Sequence, residues 1–400
     1  MGDGPDDAGL SADELFAEAE EQEAHAEEQE RQQAEEEARK QAEKAARALA
    51  AAEREWPLLS MPADYLEARP DPPRWLLMRP PSKTASEREW KGFCRMGKVG
   101  VIAAPGGTGK TMAAVGLALA VATGRNWLRP GSWKGPNKPP NGIRVDTPGR
   151  VAVLLGEEDS EDIRRRLYYT GQLMGLDHED RGRARDRLFL AGLAGMDVSL
   201  VDKDGGFDAK LASLRRVLEA RAGEGWSLIL VDPLSRFAGI GAETDNALAT
   251  RFVQALEQLT SLPGNPAVLF IHHERKGGGD GADAIRGSSA LVDGARWALR
   301  LVPLMDPKDA RKRWTNKRGE RAVKLELVKT NYTPPVHDEY VVMQDSGYSG
   351  ALRFSSNEDS SELQRDRDTA EASKSRKGKG KSGKATTPPT PEPIPDVDFI

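Results

Sequence analysis

The stretch Ala104-Pro105-Gly106-Gly107-Thr108-Gly109-Lys110-Thr111 joins a glycine-rich turn to a lysine and a hydroxyl. It fits the pattern [Ala/Gly]-x4-Gly-Lys-[Ser/Thr], whose chemistry is phosphate binding. Glycines at 106, 107 and 109 let backbone N–H groups turn inward around an anion without Cβ clashes. A helix beginning near Lys110 adds the positive end of its dipole. In such a cradle Lys110 neutralises β- and γ-phosphate oxygens and Thr111 holds magnesium, so the expected cofactors are ATP and Mg2+.

Hydrolysis needs more than a cradle, and the chain supplies candidates. The apolar run "LILVD" (228–232) ends in Asp232, a carboxylate placed to reach Thr111 and a magnesium-bound water. "RVAVLLGEE" (150–158) ends in Glu157 and Glu158. Glu157 is favoured to orient the attacking water, with Glu158 as the alternative. Glu158 and Asp159 also suit the N-terminus of the next helix, where acids complement the dipole. "IHHERKGGGDGADAIRGSS" (271–289) puts His272 or His273 at a strand end, positioned to sense the γ-phosphate. The glycine-rich loop after it carries Arg275, Lys276 and Arg286, which suit a polyanion. With five His in the chain and no third ligand near the pair, a His metal site is not expected.

These groups must be positioned by alternating strands and helices. Strands are expected at 98–105, 150–158, 188–195, 226–233 and 266–273, with further ones at 295–304, 321–330 and 339–345 extending the sheet. Helices are expected at 110–124, ending at Gly124, at 160–176 with Ser160 as N-cap, at 208–225 and at 246–261. The early strands are continuously apolar, as parallel strands covered on both faces should be. The fold class is α/β, doubly wound on a mainly parallel sheet.

Outside that body the composition changes. Residues 1–55 hold eighteen acids against six bases and read as a solvated charged helix with no heptad stripe. Residues 56–92 read as a Pro-rich linker whose Trp-Leu-Leu-Met segment packs on the next domain, which spans 93–353. Residues 354–400 read as a disordered tail. The formal net charge of −5 therefore hides a basic body behind an acidic arm. Cys94 is the only cysteine, which excludes an intrachain disulfide and a Cys-cluster metal site. The N-terminus lacks the basic-then-apolar order of a secretion signal, and the run at 113–122 is too short to span a bilayer. A cytoplasmic location with no membrane partner is expected.

Taken in order, "APGGTGKT", "GEEDSEDIRRRL", "LILVDPLSRF", "IHHERKGG", "RGSSALVDGARW" and "VKTNY" resemble the RecA-like ATPases of the RepA type. That group includes ring-shaped replicative helicases of plasmids and phages, and the resemblance covers roughly residues 70–345. It implies a RecA-like sheet with a C-terminal antiparallel extension, a hexameric homo-oligomer with ATP between subunits, and single-stranded DNA in the channel. Carried over, Lys110 and Thr111 match the phosphate-loop pair, Glu157 the catalytic Glu, Asp232 the second acid and His273 the sensor. Arg296, in "GARW", matches the arginine finger offered to a neighbour. Ala104 departs from the commoner Gly, and "GEEDS" carries one acid more than usual, which keeps both Glu157 and Glu158 in play. The function implied is an ATP-dependent helicase or translocase in plasmid, phage or mobile-element replication. A recombination mediator that binds single strands without unwinding, and an ATP-switched scaffold, are the alternatives. The arm, or the tail ending "PEPIPDVDFI", which resembles acidic tips that dock on replication proteins, could recruit partners.

Overall fold

Alternation along a strand sends successive side chains to opposite faces, so a run of unbroken apolar residues needs cover on both. The computed structural model shows that cover. It describes residues 12–56, 61–62, 65–79, 90–129, 142–204, 206–274, 289–332, 339–345 and 350–379. The chain divides into two units, Met1–Pro72 and Pro73–Ile400.

In the first unit, α1 (Ala12–Glu55) is a long helix rich in Ala, Glu, Gln and Arg. Its described side chains are exposed, and pairs such as Glu36 with Lys40, at 2.7 Å, lie one turn apart. Such exposed pairs add little to stability, and the helix rests mainly on the intrinsic preference of its residues.

The second unit begins β1 (Trp75–Arg79), β2 (Lys91–Arg95), β3 (Val99–Ala104), α2 (Lys110–Thr123), β4 (Arg144–Val145) and β5 (Arg150–Leu155). It continues α3 (Ser160–Leu173), α4 (His178–Arg187), β6 (Leu188–Gly192), α5 (Ala209–Ala220), β7 (Trp226–Asp232), α6 (Leu234–Phe237), α7 (Asn246–Leu259) and β8 (Ala267–His273). Then come α8 (Ser289–Gly294), β9 (Trp297–Pro303), β10 (Arg321–Thr330), β11 (Glu339–Gln344), β12 (Leu352–Phe354) and α9 (Asn357–Lys379).

The main sheet runs β12-β11-β10-β9-β3-β8-β7-β5-β6. From β6 to β9 every pairing is parallel, and from β9 to β12 every pairing is antiparallel. Ile102, Val153, Leu155, Leu230 and Leu269 point to the face covered by α2. Val101, Ala152, Leu154, Ile229 and Val268 point to the other, with Phe252 and Leu256 of α7 and Leu211 and Leu218 of α5. The result is a doubly wound α/β sheet, mainly parallel, with an antiparallel extension. Helix α2 is buried on nearly all sides, which is why its run of small apolar residues carries no amphipathic stripe.

Close packing at β3 yields a direct test. A Cβ on Gly100 would sit 1.9 Å from Trp297 Cε2, against a rigid indole with no exposure. Gly100→Ala is expected to destabilise the unit by about 3 kcal/mol, read from chemical denaturation, because neither strand can move aside.

Three expectations need correction, and one helix was missed. Asp159, not Ser160, caps α3, accepting from the backbone N–H groups of Glu161 and Asp162 at 2.9 Å each. Residues 75–79 and 91–92, placed in the linker, belong to strands β1 and β2 of a small antiparallel sheet that β4 completes. Leu76 and Leu77 of that segment are fully buried in the core, as the packing expectation required. Helix α4 was not foreseen, since its burial is polar: Asp180, fully buried, takes Arg125 Nε at 2.9 Å. Asn357–Lys379, placed within a disordered tail, is helix α9. Its buried apolar side chains, Leu363 and Ala370, stand two turns apart and are too few to make a readable stripe, and ion pairs add to its docking. Residues 380–400 lie outside the described residues. Among the described residues no helix is long and apolar enough to cross a membrane.

Candidate phosphate-binding site

Strand β3 delivers the loop 105–109 to the C-terminal edge of the parallel strands, where α2 departs. Gly107 and Gly109 adopt φ of +70° and +90°, a region that side chains rarely occupy. A Cβ at Gly106 or Gly107 would meet nothing within 4 Å, so this part of the loop faces open space. Thr108 Oγ1 donates to the Pro105 carbonyl at 2.8 Å and ties the turn together. Gly109 caps α2 without a side-chain hydrogen bond, leaving the first N–H groups of the helix to a ligand.

Lys110 and Thr111 meet partners from neighbouring strands. Lys110 Nζ lies 3.0 Å from His273 Nδ1 at the end of β8. Burial lowers the Lys110 ammonium below its ordinary value, while Asp232, Glu157 and Glu274 pull it upward. The His273 imidazole is also held low, by burial and by the Lys110 charge. Buried His272 lies beneath it in the strand.

Asp232 ends β7, almost fully buried, and its carboxyl is pushed up to about 6 by burial, against a hydrogen bond from Thr111 and the Lys110 charge. Its Oδ2 is buried without a hydrogen-bond partner among the described residues. An orphaned carboxylate oxygen next to a threonine hydroxyl is a hard-oxygen donor set, and a magnesium ion fits it. Thr111 and Asp232 would hold that ion, which supplies charge neutralisation to phosphate oxygens.

The two glutamates after β5 part company. Glu158 is locked by Arg166, with Nε at 2.9 Å from Oε2 and Nη2 at 2.5 Å from Oε1. Glu157 is half exposed and has a single contact to Arg236 Nε at 3.3 Å. Its charge reaches Lys110, Asp232 and His273. Glu158 is thus engaged through both oxygens, while Glu157 is the more exposed of the two.

Behind Lys110 lies a buried ion network that the sequence did not reveal. Glu274 accepts from Arg300 Nε at 2.8 Å and Nη2 at 3.2 Å, and Arg300 also faces Glu326 at 3.6 Å. Arg313 was missed as well: it reaches the loop from the β9–β10 connection, donating to the carbonyls of Gly107 and Gly106 at 2.8 and 3.4 Å. The basic run "KDARKRWTNKRGE" gives no hint which of its cations does so.

Arg296 is not brought to this cleft. It precedes β9, whose Trp297 pairs with Gly100 at the start of β3, so exposed Arg296 sits at the opposite edge from the loop. Arg275, Lys276 and Arg286 lie outside the described residues.

A mainly parallel α/β sheet with a glycine-rich turn, lysine and threonine at the end of its central strand defines a phosphate-loop protein. The family profile described as "AAA domain" matches residues 51–279, and the chain belongs to that family. Among solved structures it is similar to one reported as "The Structure Of A DnaB-Like Replicative Helicase And Its Interactions With Primase". The identity is 13% and the TM-score 0.44, over 65% of this chain and 59% of that one. The chain thus spans less than two thirds of that protein's length.

Proposed function

We propose that this chain is an ATP-driven helicase or translocase on single-stranded DNA, acting as a ring of copies, hexameric by its resemblance to plasmid and phage replication enzymes. The observation that carries the ATPase part is the convergence of Lys110, Thr111, Glu157 and the orphaned oxygen of Asp232 at one strand edge. Lys110 and the loop amides bind the phosphates, Thr111 and Asp232 hold magnesium, and Glu157 orients the attacking water. His273 senses loss of the γ-phosphate in this reading, which its 3.0 Å contact with Lys110 Nζ supports. Arg275, Lys276 and Arg286 supply the cations for the DNA backbone.

The ring reading is supported by the position of Arg296. A guanidinium at the edge opposite its own loop is out of reach of its own nucleotide, so a catalytic role for Arg296 would have to be toward a neighbour's. Arg296→Ala is expected to lower turnover about a thousandfold with ATP binding retained. Mixing it with Lys110→Ala subunits is expected to restore turnover, because some joints then pair an intact loop with an intact Arg296. A mixture as inactive as its components would rule out action in trans.

The whole reading is tested by measuring ATPase with and without single-stranded DNA, then strand displacement on a forked duplex, with Lys110→Ala as control. Displacement supports the helicase. Stimulation without displacement would assign a mediator instead, and indifference to DNA a nucleotide-switched scaffold.

A further inference from the structure

Gly106 and Gly107 add no restraint of their own to the phosphate loop, which between Pro105 and Thr108 is tied by one side-chain hydrogen bond. Neither has a side chain, Gly107 is at φ +70°, and the space beside both is open. Yet the cradle works only if the N–H groups of Gly107 and Thr108 point inward. In a trans peptide the carbonyl and the following N–H point in opposite directions. A group that holds the carbonyls of Gly106 and Gly107 on the outer side therefore aims those two N–H groups into the cradle. Arg313 holds both carbonyls with one planar guanidinium.

The arrangement that delivers Arg313 is rigid. Trp314 N donates to the Leu304 carbonyl at 2.8 Å, and Ala322 N donates to the Trp314 carbonyl at 3.0 Å, so the segment is extended and bridges both strands of the connection. In an extended segment neighbouring side chains take opposite sides. Trp314 is buried against Ala322, Met343 and Leu363, and its Nε1 donates to Asp366 Oδ2 of α9 at 2.9 Å. Arg313 must then face the other way, onto the loop. Lys308 Nζ meets Asp366 at 2.6 Å, and Asn316 Nδ2 and Arg318 Nη2 each meet Asp359 at 2.8 Å. The C-terminal helix thus clamps the connection at both ends.

We propose that Arg313 is a positioning residue that pre-orders the phosphate loop for its ligand, and that helix α9 holds Arg313 in place. The proposal rests on the reading of the loop as a nucleotide site. Arg313 touches loop carbonyls rather than the reacting atoms. Losing it weakens ground-state and transition-state binding alike, which raises KM and leaves kcat near its original value.

The test uses the full chain and four variants: Arg313→Ala, Arg313→Lys, Asp366→Ala and Arg311→Ala. Arg311 is exposed and pairs with Asp309, which makes it the charge control. By calorimetry with Mg2+, Arg313→Ala is expected to weaken ATP and ADP equally, by about tenfold. Its kcat and its nucleotide-free melting temperature stay near wild type. Arg313→Lys recovers part of the loss, since one ammonium lacks the guanidinium fork. Asp366→Ala shifts affinity the same way by less, and Arg311→Ala does not. Hydrogen exchange at Gly107 and Thr108 amides is expected to quicken in nucleotide-free Arg313→Ala. Unchanged affinity and unchanged exchange would overturn the proposal, as would a lost kcat at unchanged affinity. Failure of wild type to bind ATP would strike the nucleotide reading instead, and the exchange measurement would still decide the role of Arg313.

Discussion

Glu157→Gln is expected to lower ATP turnover about a thousandfold while ATP binding is kept, whereas Glu158→Gln keeps most of its turnover. A positioned carboxylate that activates water contributes two to four orders of magnitude, and the amide isostere removes the proton acceptor without removing volume. The two residues are adjacent, so only their surroundings separate them. Glu157 is half exposed, Arg236 holds it by one contact, and its charge reaches Lys110 and His273 as well as Asp232, whereas that of Glu158 reaches Asp232. Glu158 has both oxygens engaged by Arg166, whose Nη1 also lies 3.4 Å from Met112 Sδ on α2. Glu158→Gln should therefore act on the seating of α3 against α2, with a stability loss of about 1 kcal/mol. Single-turnover hydrolysis and calorimetric ATP binding, measured on both variants, check the assignment. If Glu158→Gln were the dead enzyme and Glu157→Gln the active one, the roles would have to be exchanged.

Asp232→Asn is expected to abolish magnesium-dependent turnover and, in metal-free protein above pH 6, to raise stability. The carboxyl is raised by burial from 3.8 to about 6. Between those values the native state binds the proton that the unfolded chain releases, so stability falls as pH rises through this window. The contribution of the neutral acid is fully present below pH 3.8 and is gone above pH 6. The buried charge then costs on the order of 3 kcal/mol relative to the neutral acid. Magnesium competes with that proton for the same oxygen, so its apparent affinity should drop about tenfold for each pH unit below 6. Melting temperatures from pH 4 to 8, for wild type and Asp232→Asn with and without Mg2+, test this. Wild-type and variant curves that run parallel over the whole range would exclude Asp232 as the titrating metal ligand. A stabilised but inactive variant would show that the orphaned oxygen is kept for chemistry at the expense of the fold.

How much of this was legible beforehand depends on the distance over which the information is carried. The phosphate loop is one contiguous stretch, and its glycines, Lys110 and Thr111 do their work through the local backbone. Buried parallel strands declare themselves as apolar runs, so β3, β5, β7 and β8, with Asp232 and His273 at their ends, could be read from order alone. Elements held by polar contacts could not. Helix α9 carries no apolar stripe, and β1 hides among prolines, because what orders them is a partner elsewhere in the chain.

The sequence by itself determined the sheet, the loop at its edge and the acids and histidines that surround it, since each follows from local pattern and the period of burial. Only the tertiary structure decided which of two adjacent glutamates Arg166 engages through both oxygens, that Arg296 stands away from its own loop, and that Arg313, 206 residues from Gly107, grips it. Side-chain pairing is chosen by the packing of distant segments. A hydrogen bond is decided within a few tenths of an ångström, which no residue pattern along the chain specifies.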